Sequence, residues 1–415
     1  MVSDNSIVGL DLGTTTICVV IAEPGPDGIQ ILGFGHSRSD GLRRGAVVDV
    51  DKAVHSVKRA VSQAELMAGL KVSTVYAGVA GEHIQSLDSR GSVVTAGGNL
   101  EISEEDRTRV IDAARTVAIP FDREVLHALP QEFTVDHQSG IRDPVGMTGV
   151  RLETSVHIVT GAVTSVQNIC KSVQRADIGV TDIILEPLAC GRAVLRDEEK
   201  EMGVCVVDIG GGTTDLAIYL DGSVRRTSVI GIGGQNVTND IAICLRTSWP
   251  LAEDLKHRHG AVLLHDISEG DEVVELQGVA GRRSSAVPRV ELAGIIEARM
   301  EEIFDLVRQE INRSGFSECL GAGIVLTGGG VLIEGIGELA ERSFQLPVRL
   351  GLPIGIGGGL SERVATPGFA TALGLVLLAS DDVPLIGHER YDNRLSQGGF
   401  EAVASRMKNW ITTFL

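Results

Sequence analysis

Val8-Gly9-Leu10-Asp11-Leu12-Gly13-Thr14-Thr15-Thr16 stands near the N-terminus, and Val206-Val207-Asp208-Ile209-Gly210-Gly211-Gly212-Thr213-Thr214-Asp215 repeats its plan near the middle of the chain. In each copy an apolar strand ends in Asp, the chain turns on Gly and Thr, and a second apolar strand returns. Glycine lets backbone N–H groups approach a phosphate closely, and threonine hydroxyls add donors. An Asp at the strand end can hold Mg²⁺ through water, since Mg²⁺ keeps several of its waters. Two such hairpins facing each other would grip a polyphosphate from both sides. One glycine turn means little, because glycine closes many hairpins; two copies in the same order point to a duplicated phosphate site.

A third glycine turn follows a third strand, in Gly323-Ile324-Val325-Leu326-Thr327-Gly328-Gly329-Gly330. It puts bare backbone where a flat adenine or ribose could lie. With no lysine in a G-K-[ST] setting it is not a Walker loop. Between these motifs strands and helices alternate, so the chain reads as α/β. Strands are expected at 7–12, 17–22, 74–79, 154–160, 204–209, 216–220 and 324–326. Apolar residues at helical spacing predict helices at 52–70, 165–176 and 289–313. Ser103 and Asp106 form a capping box for a helix through Ala118. The apolar run 369–379 reads as a buried helix.

The composition sets limits. A chain of 415 residues suggests more than one domain. A net charge of -18 with no basic stripe argues against a nucleic-acid partner. Six scattered cysteines read as reduced thiols, with no zinc or disulfide pattern. His257 and His259, beside Arg258, read as a solvated helix end. The polar start, Met1 to Ser6, reads as no targeting segment, and no run reaches the length of a transmembrane helix.

Asp11 to Thr16 resembles the first phosphate loop of the actin, sugar-kinase and DnaK-chaperone superfamily. Asp208 to Asp215 resembles the second, Thr327 to Gly330 the adenosine motif, Glu186-Pro187-Leu188-Ala189 the first connecting helix, and Glu253 with Lys256 the nucleoside contact of bacterial actins. Within that superfamily the chain resembles the FtsA family of bacterial cell-division actins almost end to end. His127 to Phe133, Asp143 to Met147 and Gly149 to Leu152 look like its subdomain 1C, which replaces actin subdomain 1B. A sugar kinase would need a sugar pocket with its own Asp base, and none is identified. A chaperone would need a peptide-binding domain, and only a short tail follows. The alternatives are a PilM-like pilus assembly protein and an MreB-like shape-determining actin.

The resemblance implies a two-lobed actin-like ATPase fold. Subdomain 1A would comprise 1–83, 163–195 and 367–380, with 1C at 84–162. Subdomain 2A would take 196–225 and 304–366, and 2B would take 226–303. It implies ATP and Mg²⁺, with Asp11 and Asp208 toward the metal and Asp11, Asp208 and Glu186 toward a weak or absent hydrolysis. The nucleotide site would comprise Gly13, Thr14, Thr15, Thr16, Gly210, Gly211, Gly212, Thr213, Thr214, Gly233, Gly234, Asn236, Glu253, Lys256, Gly328, Gly329 and Gly330. The implied partners are the C-terminal peptide of FtsZ at Arg299 and Glu302, further copies in head-to-tail filaments, and later division proteins at 1C. The protein is expected at the cytoplasmic face of the inner membrane, at the division septum.

The tail has its own pattern. Residues 381–399 are polar, with Pro384, Gly387, Gly398 and Gly399, and read as a tether. Phe400, Val403, Met407, Trp410, Ile411, Phe414 and Leu415 then recur at helical spacing. They form the apolar face of a helix over 400–415 suited to a membrane surface. With only Arg406 and Lys408 against Glu401, attraction to anionic lipid is modest, and many tails in a filament would bind by avidity.

Overall fold

A computed structural model describes residues 6–25, 28–262, 273–276 and 285–381. The tail residues from Phe400 to Leu415 and all of the tether beyond Asp381 lie outside the described residues. Among the described residues no helix is long and apolar enough to cross a membrane.

Two sheets carry the two halves of the chain. The first has six strands in the order Gly179–Leu185, Thr74–Val79, Ile7–Leu12, Thr16–Gly25, Gly28–Arg38, Ile356–Gly359. The second has five, in the order Ser223–Ile230, Thr214–Leu220, Val204–Ile209, Ile324–Thr327, Val348–Leu350. Successive strand residues point to opposite faces. Ile17, Val19 and Ile21 join one core with helix Val50–Ala68, while Cys18, Val20 and Ala22 join another. The second sheet repeats this: Cys205, Val207 and Ile209 pack under helix Arg289–Ser314, and Val204 and Val206 enter the same core as Cys18 and Val20. Both faces are covered, which is why these strands read as continuous apolar runs.

Helices Glu186–Val194 and Ala370–Ser380 contribute to that common core and join the two lobes. Every residue from Ala370 to Leu377 is buried. The two helices cross at Gly374, where a Cβ would lie 1.8 Å from the Ala189 carbonyl oxygen. No side chain fits there.

Residues 85–162 leave the first lobe between two of its strands. They form a separate antiparallel sheet ordered Gln85–Val94, Arg151–Ala162, Arg123–Val135, Gln138–Ile141, with helix Glu104–Arg115 against it. Gln85 and Thr160 are paired in register, so the chain enters and leaves side by side. The Ser103–Asp106 capping box is present, but the helix ends at Arg115 rather than Ala118. Pro120 lies just beyond and disfavours helical backbone at Ile119. This sheet also leans on the second lobe. His157, fully buried, places Nδ1 2.7 Å from Asp88 Oδ1 and Nε2 3.0 Å from Thr227 Oγ1 of strand Ser223–Ile230. Gln131 Nε2 donates to Arg225 O at 3.0 Å beside it.

Candidate functional site

The lobes enclose a cleft of about 930 Å³. The two glycine-threonine hairpins meet at its floor. In the first, Asp11 pairs with Cys18 and Leu12 with Ile17; in the second, Asp208 pairs with Asp215 and Ile209 with Thr214. The two turns touch: a Cβ on Gly211 would lie 2.3 Å from Thr15 Oγ1, and one on Gly212 2.5 Å from Thr14 Oγ1. Glycine is needed there because the opposite hairpin occupies the space of a side chain. Thr14 Oγ1 also accepts from Gly45 N at 3.0 Å, which orients its hydroxyl.

Four acids gather behind the turns. Thr371 Oγ1 donates to Asp208 Oδ2 at 2.8 Å, and Thr213 Oγ1 donates to Asp215 Oδ2 at 2.9 Å. Asp215 Oδ1 is buried without a hydrogen-bond partner. Burial, with the Asp208 charge added, pushes Asp11 up to about 7. Burial pushes Asp208 up to about 6 against the Thr371 hydrogen bond. Glu186 and Asp215 are driven well above the usual carboxylate range by burial and by the other acids. No basic side chain lies among the groups that shift these four. Such a cluster calls for a cation.

The wall toward the second lobe is built on helices Gly234–Cys244 and Trp249–His259. Lys256 Nζ donates to Glu253 Oε2 at 2.8 Å, Thr238 Oγ1 at 2.8 Å and Gly234 O at 3.1 Å. Burial raises Glu253, but Lys256 and the Thr238 hydroxyl outweigh it and hold the carboxyl low. Trp249, Glu253 and Lys256 share one helix face, and the Arg38 guanidinium sits 5.5 Å from the Trp249 ring centre across the mouth. Gly328, with φ of 88°, turns the chain so that Gly328, Gly329 and Gly330 line the opposite wall.

Of the residues singled out in the sequence, Asp11, Gly13, Thr14, Thr15, Thr16, Glu186, Asp208, Gly210, Gly211, Thr213, Gly234, Glu253, Lys256, Gly328, Gly329 and Gly330 line this cleft. Gly212 does not line it and instead packs on Thr14. Thr214 is fully buried and donates to Ile232 O at 2.8 Å, away from the cleft. Asn236 Oδ1 accepts from Gly233 N at 3.1 Å, so these two cap a helix rather than line the cavity. Arg299 and Glu302 stand apart, on helix Arg289–Ser314, as an i, i+3 ion pair. The Arg299 fork is also engaged by Asp240, at 2.5 and 3.0 Å. The His257–His259 pair closes helix Trp249–His259.

Sequence reasoning missed Asp215, Thr371, Trp249 and Arg38. Asp215 had a signal: it holds the place in the second hairpin that Cys18 holds in the first. The other three come together only through tertiary packing.

Comparison with known proteins agrees with this geometry. The family model described as cell division protein FtsA matches residues 205–374, and the SHS2 domain inserted in FtsA matches residues 81–160. The cell division protein FtsA of Pseudomonas aeruginosa is 46% identical over 376 residues, covering 90% of this chain and 89% of that protein. Among solved structures, the PilM-PilN type IV pilus biogenesis complex aligns with a TM-score of 0.64 at 16% identity, covering 90% of this chain and 98% of its own. MreB5 of Spiroplasma citri bound to ADP aligns with a TM-score of 0.53 at 16% identity, covering 91% and 97%. The remote structures establish the actin-like ATPase fold, and the close relative, with the inserted sheet, establishes the family: this chain belongs to the FtsA cell division proteins.

Proposed function

We propose that the chain is an ATP-binding actin-like protein that polymerises on the cytoplasmic face of the inner membrane at the division septum, tethers FtsZ filaments there and helps recruit later division proteins. The observation that carries the nucleotide reading is the contact between the two hairpin turns, with four acids beside them, of which Asp208 and Asp215 are buried. A polyphosphate fits the glycine backbone and threonine hydroxyls in front. The ADP of the related MreB5 structure supports the same reading. The buried, partnerless Asp215 oxygen and the raised carboxyls fit a Mg²⁺ ion held by Asp11 and Asp208 through water. When bound, Mg²⁺ would neutralise phosphate charge. Glu186 can orient a water, and slow hydrolysis at most is proposed.

Lobe closure on nucleotide would select the orientation that stacks head to tail with a further copy, a contact that need not close. The FtsZ C-terminal peptide would dock beside Arg299 and Glu302, its carboxylates replacing Asp240 on the arginine fork. Residues 84–162, inserted into the first lobe, would meet later division proteins. The tail helix over 400–415, through Phe400, Val403, Met407, Trp410, Ile411 and Phe414, would meet lipid.

ATP-dependent co-sedimentation with liposomes, with and without FtsZ, tests the whole reading. Pelleting is expected to require the tail and to rise with ATP and FtsZ. A chain truncated after Gly399 that still floats with liposomes would overturn the membrane anchor, and indifference to ATP would overturn nucleotide control.

A further inference from the structure

The described chain leaves the body at Asp381, and the exit is pinned. Arg192 Nε and Nη2 reach the two Asp381 carboxylate oxygens at 2.6 and 3.0 Å. The next residue, Ala193, accepts from Ile354 N at 2.8 Å, and Val194 O accepts from Arg349 Nη2 at 2.8 Å. From the other side, a Cβ at Gly355 would lie 3.5 Å from Leu377 Cδ2, and Leu377 O accepts from Asp381 N at 3.0 Å. Segment 349–355 therefore runs past the exit.

That segment carries an apolar row. Leu350, Leu352 and Ile354 are 45%, 51% and 38% exposed, while Gly351 and Pro353 between them are buried. The alternation puts three large apolar side chains on one outward side. A single exposed leucine needs no explanation. Three in a row, beside the exit of a segment whose sequence carries an unmatched apolar face, have an occupant within reach. Eighteen residues separate Asp381 from Phe400, and a freely coiling chain of that length spans about 23 Å root mean square, enough to reach the row.

We propose that this row is the resting seat of the chain's own tail, residues 400–415, so that docking on the body and insertion into lipid are alternative uses of one apolar face. The inference rests on reading that segment as an amphipathic helix. Leu350 to Ile354 spans roughly 13 Å, enough for about two turns of helix. A seat that short binds weakly in trans. It suffices in cis, because a tether of this length holds the tail at an effective concentration on the order of a millimolar. The seat would cover the membrane face for about half of the time on a lone molecule and release it where lipid competes.

The full chain carrying Trp249→Phe leaves Trp410 as the sole tryptophan, since the sequence has 2. Acrylamide quenching of Trp410 without lipid reads the seat directly. Leu352→Asp is expected to raise quenching roughly twofold, as a half-occupied cis contact empties. It is also expected to raise the fraction bound to phosphatidylcholine–phosphatidylglycerol vesicles. Ile354→Asn repeats the test if Leu352→Asp melts early. Quenching that neither substitution changes overturns the proposal, as does protection that disappears on dilution, which would give the row to a second copy. If quenching rises while vesicle binding is nil throughout, the seat stands and the membrane reading fails.

Discussion

Gly211 of one lobe lies against Thr15 of the other so closely that a Cβ on the glycine would fall 2.3 Å from the threonine hydroxyl. The two halves of the phosphate site are thus in mutual contact, and a side chain added at Gly211 or Gly212 must part them. Gly211→Ala is expected to lower the affinity for a fluorescent ATP analogue about tenfold or more, the loss of one charge-assisted contact or its equivalent. The melting temperature should move little, because the turn lies at the cleft and not in a core. Unchanged affinity would show that the turns are free to separate without cost.

The acids of the cleft give a pH signature. Asp11 and Asp208 stand near 7 and near 6 in the fold against an ordinary value of 3.8. Between those values these two carboxyls bind more protons in the folded chain than in the unfolded one, so their contribution to stability falls as pH rises from about 4 to about 7. For Asp208 the rise from 3.8 to about 6 bounds the effect at about 3 kcal/mol. Asp208→Asn should flatten that part of the decline in thermal melts of the nucleotide-free protein. Asp208→Ala should also weaken Mg-ATP binding about tenfold or more. An Asp208→Asn protein whose melts follow pH as the parent's do would contradict a raised Asp208 carboxyl.

Arg299 offers a test with opposite signs. Its fork is engaged by Asp240 and also pairs with Glu302. Arg299→Glu would place like charges together and should lower FtsZ-peptide affinity while leaving ATP binding intact. Asp240→Asn loosens the fork and should raise peptide affinity a few-fold, the yield of roughly 1 kcal/mol. Fluorescence polarisation with the peptide reads both. A peptide indifferent to both changes docks elsewhere.

Replacing residues 84–162 by a short Gly-Ser linker should leave a soluble chain that binds ATP, because the entry and exit strands are neighbours. The cost falls on both lobes: in the first, Leu185 N loses the His127 ring nitrogen and the core loses Leu126; in the second, Thr227 loses the His157 ring and strand Ser223–Ile230 loses its cover. A drop of about 1–3 kcal/mol in unfolding free energy is expected from the exposed groups. A folded deletion that no longer binds ATP would show that the inserted sheet supports the cleft.

The sequence by itself determined the local units. An apolar strand ending in Asp and turning on Gly and Thr forms its hairpin from neighbours in the chain, and the Ile7–Leu12, Thr74–Val79 and Val204–Ile209 strands fall where their apolar runs do. The Ser103–Asp106 cap and the helix from Arg289 were legible for the same reason: their hydrogen bonds and periodicity close within a few residues. Tertiary structure decided what those units meet. That Gly211 touches Thr15, that Asp215 joins the acids while Cys18 holds the equivalent place in the first hairpin, that Asp240 takes the Arg299 fork from 59 residues away, and that His157 reaches Thr227 all depend on how two sheets are set by the helices crossing at Gly374. That angle is the sum of packing over both cores, and no short window of sequence contains it.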